Sequence, residues 1–248
     1  MHLSKNQIYI DTYKEIAYLH PNYFNADKNI LNKLGIKKDE LVILIRFVSW
    51  NATHDSGHQG ISLENKIKAV KEFSKFGRVF ISSEFELPNE LKKYLFPLPP
   101  EEIHHLMANA SLIFGESATM VTEGAVLGVP GIYLDNTSRT YTKELEEKFN
   151  LIYNFTENNN DQVLSIQKGI EILINYKKDE WLQRRKKLLS EKINFTAFLV
   201  WYIENWPESF HIMKENPDYQ NRFFFIFMTL LRNKSFTKFF QNDLIINS

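Results

Sequence analysis

Cysteine is absent from the 248 residues. That excludes a disulfide scaffold, a thiolate-held zinc or iron–sulfur site, and any thiol chemistry. Neither sign of charge is in excess, because 30 Lys and Arg stand against 30 Asp and Glu. With no global basic field, a dedicated nucleic-acid binder is not expected. Long hydrophobic runs are missing as well. Stretches such as Phe223–Met228 fall far short of the roughly 20 residues that span a bilayer. Met1 to Asp11 lacks the basic-then-apolar order of a signal peptide, and no internal repeat or low-complexity tract occurs. What is present is 44% hydrophobic, 24% charged and 14% aromatic residues. This is ample for one α/β domain, or for one domain with a helical appendix, and it can bury a real core. The expectation is a soluble, cytoplasmic protein.

From Glu40 the chain alternates short apolar runs with helical patterns. Leu41 to Val48 is apolar on both faces, as a buried parallel strand requires. A polar loop, Ser49 to Gly60, follows. Ser62 then caps a helix with Leu63, Ile67, Val70 and Phe73 at helical spacing, and Gly77 is expected to stop it. Further strands are expected at Val79–Ser82, Leu112–Phe114, Ile132–Leu134 and near Leu151–Tyr153, with helices between them. Such alternation predicts a Rossmann-like α/β fold, a parallel sheet with helices on both faces, plus C-terminal helices. Ligands of such sheets sit beyond the carboxyl ends of the strands. After Asn154 two long helical patterns follow, Gln162–Tyr176 and Glu180–Asn205, the latter ended by Pro207. The expected partition is a hinge or N-terminal segment (residues 1–38), a Rossmann-like domain (39–177), closing helices (178–221) and a Phe-rich basic tail (222–248).

The most informative segment runs from Leu112 to Pro130. A buried strand ends at Phe114, and a tight turn at Gly115 exposes Glu116 and Ser117. A helix starts near Thr119 with its free N–H groups aimed at that turn, an arrangement that suits an anion, phosphate most often. Glu123 sits one turn further in, and Gly128 and Pro130 end the helix. On spacing alone, an equal reading is that Ser117 and Thr119 only cap the helix while Glu123 faces solvent.

The order acidic-Ser-small-small, then Glu, then Leu-Gly-x-Pro resembles the donor-nucleotide loop of UDP-N-acetylglucosamine 2-epimerases and related GT-B glycosyltransferases. It aligns without a gap onto Glu116, Ser117, Ala118 and Thr119, then Glu123, then Leu127, Gly128 and Pro130. The resemblance implies that Gly115, Glu116, Ser117 and the amides around Ala118 and Thr119 form a nucleotide or phosphate site, with Glu123 on the ribose. Ala118 and Thr119 replace two glycines of that pattern, which narrows the approach of a phosphate to the backbone. Segments at Lys14–Phe24, Arg46–Trp50, His54–Gly57 and Phe198–Pro207 are similar, more closely still, to an uncharacterised family of GT-B-like proteins of unknown function. That similarity covers about Tyr13 to Arg222. It corresponds to the hinge and the C-terminal half of a GT-B fold, without the half that usually binds the acceptor.

Other candidates lie nearby. His54, Asp55 and His58 share the loop after the first strand, near Arg46 at its end. Metal ligation, ligand contact and a structural role all stay open. The resemblance favours a ligand loop made of Arg46, His54, Asp55, His58 and Arg139, and neither a metal nor a cofactor is expected. His20, His104 and His105 read as structural, although Leu98–Pro100 resembles a place where a base can rest. Trp201, Tyr202 and Trp206 read as a helix face packed on the missing half.

In the tail, Phe223, Phe224, Phe227, Leu230, Leu231, Phe236, Phe239 and Phe240 form a broadly helical stripe, with four cations against Asp243. Two readings stand: packing on the domain, or peripheral contact with an anionic membrane at its inner face. The expected function is nucleotide-sugar binding, UDP-sugars favoured, for glycosyl transfer or epimerisation in glycan biosynthesis. The alternative is a non-catalytic nucleotide-sugar-binding or assembly module. Expected partners are a second copy or a separately encoded N-terminal half, and no nucleic acid.

Overall fold

The computed structural model describes residues 6–49, 57–137 and 139–224. Two short helices, α1 (Ile16–Leu19) and α2 (Asn29–Lys33), precede β1 (Leu41–Phe47). Then come α3 (Leu63–Phe73), β2 (Gly77–Ser83), α4 (Asn89–Lys92), α5 (Ile103–Met107) and β3 (Leu112–Gly115). They are followed by α6 (Ala118–Leu127), β4 (Gly131–Leu134), α7 (Thr140–Glu147) and β5 (Ile152–Phe155). The last helices are α8 (Asn159–Ile174), α9 (Lys178–Glu191), α10 (Phe195–Glu204) and α11 (Glu208–Glu215). The chain divides into two units, one of Leu19–Lys186 and one of the remaining N- and C-terminal residues.

The larger unit holds a five-stranded sheet in the order β2-β1-β3-β4-β5, parallel throughout. Its central strands are apolar on both faces because both are covered: Ile43, Leu44 and Ile45 are fully buried. On one face α3 and α8 pack together so closely that a Cβ on Gly169 would meet the Phe73 ring at 2.6 Å. Phe73 in turn meets Phe114 edge to face, with ring centroids 5.2 Å apart. Each such buried ring contributes about 1.5–3 kcal/mol. Helices α6 and α7 pack together beside β4 and β5. The expected α/β fold with a parallel sheet and covering helices is thus the observed one.

Two expected boundaries differ. Gly77 does not stop a helix: α3 ends at Phe73, and Gly77 opens β2, where a Cβ would lie 2.1 Å from the Leu41 carbonyl oxygen. The long helix expected over Glu180–Asn205 is two helices. Its break is made by Asn194, whose side chain accepts from the Ala197 amide and starts α10 afresh. Beside the break, Lys192 is buried on Asp11.

In the smaller unit Ile193, Phe198 and Met213 form a core. Trp201 stacks on Tyr219 at 4.8 Å, and Tyr202 stacks on Phe198 at 5.7 Å. These two rings, expected to face a missing half, are therefore committed within the chain. Val200, Ile203 and Trp206 are the exposed members of that stretch. Among the described residues no helix is long and apolar enough to cross a membrane. The tail stripe beyond Phe224 lies outside the described residues, as do His54 and Asp55.

Candidate functional site

The chain leaves β1 toward β2 on one side and leaves β3 toward β4 on the other. The carboxyl ends of β1 and β3 therefore face a crevice where the winding reverses, the place at which doubly wound sheets bind ligands. The last residue pair across it is Arg46 and Gly115. Gly115 has φ +148°, and a Cβ there would sit 2.0 Å from the Arg46 carbonyl oxygen. Only glycine lets the chain turn at this point into α6.

Helix α6 begins at the crevice. Ser117 is its N-cap, and its Oγ accepts from the Met120 amide at 3.2 Å. The amides of Ala118 and Thr119 precede any intrahelical acceptor. Ala118 is buried and Thr119 exposed. One turn on, Glu123 is only 8% exposed, so it does not face solvent. Its carboxylate meets Nε2 of His104 on α5 at 2.9 Å. His105, the neighbouring residue, accepts from the Asp27 amide and stacks on Phe24. Gly128, with φ +81°, closes α6 as a left-handed cap.

Glu116 behaves differently from its neighbours in the motif. Its amide donates to the Arg46 carbonyl at 3.1 Å. Its carboxylate accepts from the Val48 amide at 2.9 Å and from the Ile61 amide at 2.6 Å. Lys66 of α3 lies 3.3 Å from the same carboxylate. One buried side chain thus staples both ends of the loop that follows β1. The Arg46 guanidinium turns away from the crevice, to Ser82 and Glu84 at the end of β2.

His58 and Arg139 converge on Asp135, which directly follows β4. His58 Nδ1 lies 3.3 Å from Oδ1 of Asp135 and also contacts Glu157. Its Nε2 is 3.0 Å from the Thr137 hydroxyl. Arg139 donates to the Tyr133 hydroxyl at 2.9 Å and reaches Oδ2 of Asp135 at 3.3 Å. Burial and the Asp135 carboxylate push the Tyr133 phenol well above its usual range. Glu157, two residues beyond β5, accepts from the amides of Gln59 at 2.7 Å and Gly60 at 2.9 Å. Burial opposes its charge, yet the Gln59, Gly60 and Asn136 amides and the His58 ring hold its carboxyl below the usual range. His58, Asp135 and Glu157 are the described group whose ligand atoms, all within 4.8 Å of one another, could share a metal ion.

Sequence reasoning missed Lys66, Asp135, Glu157 and the Glu123–His104 pairing. One signal was available for the acids: Glu84, Glu116 and Asp135 each follow directly on a buried strand, and Glu157 follows β5 by two residues. An acid at the carboxyl edge of a parallel sheet has loop amides to bind.

Solved structures similar to the chain are remote. A putative UDP-N-acetylglucosamine 2-epimerase from Listeria monocytogenes has 18% identity and a TM-score of 0.42, with 67% of this chain and 42% of that one covered. The S. aureus MnaA–UDP co-structure has 15% identity and a TM-score of 0.48, covering 75% and 49%. A spinosyn rhamnosyltransferase complexed with thymidine diphosphate has 12% identity and a TM-score of 0.45, covering 73% and 49%. The chain spans less than half the length of each. No curated protein matches it. The model of the family described as "Protein of unknown function (DUF354)" matches residues 4–178, more than half of the chain, and the chain belongs to that family.

Proposed function

We propose that this chain is the nucleotide-sugar-binding half of a two-domain GT-B enzyme of glycan biosynthesis, acting in glycosyl transfer or sugar epimerisation. The supporting observation is the crevice between β1 and β3, with the α6 N-terminus opening onto it directly after Gly115. A diphosphate there receives the Ala118 and Thr119 amides and the positive end of the helix dipole. Glu123, oriented by His104 at 2.9 Å, accepts from the ribose hydroxyls. A UDP-sugar is the favoured ligand, and the other half of the enzyme supplies the acceptor side.

Calorimetric titration with UDP and UDP-N-acetylglucosamine tests this. Charged hydrogen bonds contribute about 1.5–3 kcal/mol, so Glu123→Ala weakens binding by roughly 10- to 100-fold. Equal affinities of variant and wild type would remove Glu123 from the site. A second reading, binding without turnover by this chain alone, is favoured by one observation. The carboxylates of Glu116, Asp135 and Glu157 at the strand ends are already engaged by loop amides and cations. Release of UDP from UDP-N-acetylglucosamine by the isolated chain would overturn that second reading.

A further inference from the structure

We propose that His58, Asp135 and Glu157 hold a divalent transition-metal ion, Zn²⁺ or Mn²⁺, at the carboxyl edge of the sheet. The three residues come from three separate loops, after β1, β4 and β5, and their ligand atoms converge within 4.8 Å. Their side chains are 12%, 0% and 3% exposed, so the point of convergence is shielded from bulk water. His58 Nδ1 and Asp135 Oδ1 are 3.3 Å apart. That is the separation of neighbouring ligands around an ion with bonds of about 2.0–2.2 Å.

Every ligand is also held from behind, as metal ligands need to be. The His58 Nε2 lies 3.0 Å from the Thr137 hydroxyl. Nδ1 faces the Asp135 and Glu157 carboxylates, so an ion bound there displaces the proton that the ring shares with Glu157. The second oxygen of Asp135 is fixed by Tyr133 and by Arg139. The second oxygen of Glu157 is fixed by the Gln59 and Gly60 amides. One imidazole nitrogen with two carboxylate oxygens suits Zn²⁺ or Mn²⁺, whereas Ca²⁺ and Mg²⁺ favour oxygen alone. Three protein ligands leave at least one coordination position open, as in catalytic rather than closed structural sites.

The site is independent of the nucleotide reading and is tested without nucleotide. The full chain is stripped with a chelator, dialysed, and titrated with ZnCl₂ and MnCl₂ by calorimetry, with bound metal counted by mass spectrometry. The expected result is one equivalent of one of these ions, together with a rise in Tm. Changes behind metal ligands typically cost 10- to 100-fold in affinity, so loss of a ligand in His58→Gln or Glu157→Gln weakens binding by about 100-fold or more. His105→Gln, on α5, leaves binding unchanged. Circular dichroism confirms that each variant is folded, and His58→Gln serves if Glu157→Gln fails to fold. Absence of saturable binding to the wild type overturns the proposal. So does an affinity that is the same in folded His58→Gln as in wild type.

Discussion

The two loops that meet at the crevice are built by opposite means. The loop after β3 is only Glu116 and Ser117, and its shape comes from residues within it: Gly115 turns, Ser117 caps, and α6 follows at once. The loop after β1 runs from Val48 to Ser62, and its described ends are held from elsewhere in the chain. Its last four amides, Gln59 to Ser62, are all taken by side chains: two by Glu157, one by Glu116 and one by Gln162. Gln162 also accepts from Asn65 and donates to the Glu157 carbonyl, which ties the acceptors to each other. A short loop between a strand and a helix can be specified locally. A long one at the same edge needs anchors, and buried acids supply them because each carboxylate can accept several amides.

The sharpest way to break this contrast is Glu116→Ala. The change leaves the Val48 and Ile61 amides without their acceptor and Lys66, itself buried, without its counter-charge. Removing one partner of a buried pair costs about 3–5 kcal/mol. Denaturant unfolding is therefore expected to show a loss of that size, with faster hydrogen exchange at Val48 and Ile61. A loss no greater than that of a single helix cap would mean that the loop after β1 does not depend on its staple.

The same contrast explains what was legible in the sequence. Strand and most helix positions were readable because they rest on apolar periodicity and on local stops such as Gly128. The β3–α6 turn was readable for the same reason, with Gly115, Ser117, Glu123 and Gly128 in a single short stretch. Glu116 was placed correctly on the chain, but its side chain was assigned outward to a ligand. Nothing local reveals that Ile61 and Val48, more than fifty residues earlier, claim both of its oxygens. Asp135 and Glu157 were passed over because their partners, His58, Gln59 and Gly60, lie in a loop far upstream. The break at Asn194 inside the expected Glu180–Asn205 helix was missed because Asn is tolerated by a helical pattern. Its capping role shows only once the Ala197 amide is seen on its side chain.

Acid loosens loops held by carboxylates, so another titrating group must be separated from them. His20 is buried, and its pKa is lowered to about 4, first by burial and then by the nearby charge of Arg185. The unfolded chain takes up this proton near 6.5, its ordinary value, and the folded chain only near 4. Between these values the unfolded state binds more protons, so stability falls as pH drops from 6.5 toward 4 and is flat above that window. The full effect is on the order of 3 kcal/mol. His20→Asn keeps an acceptor for the Asn22 amide, now met by Nδ1 at 3.1 Å, and removes the titration. Thermal melts across that window are expected to flatten in the variant, and what slope remains belongs to the carboxylates. An unchanged slope would show that His20 titrates alike in both states.

The smallest stability effect is expected at the locally built loop, and it separates two roles of one residue. Ser117 caps α6 through Met120 and also stands beside the proposed diphosphate position. Ser117→Ala removes the cap and costs about 1 kcal/mol, several-fold less than loss of the Glu116 staple. Ser117→Asp restores an acceptor for the Met120 amide, and a negative charge at a helix N-terminus is favourable by about 0.3–1 kcal/mol. The aspartate variant should therefore melt at or above the wild-type temperature. Its charge occupies the place proposed for the phosphates, so repulsion should abolish UDP binding in calorimetry. Wild-type stability with undiminished UDP affinity would move the ligand away from the α6 N-terminus, leaving Ser117 as a cap and nothing more. Stability retained with binding lost would show that this short loop does two jobs, while the long loop opposite it is held in place by its distant carboxylates.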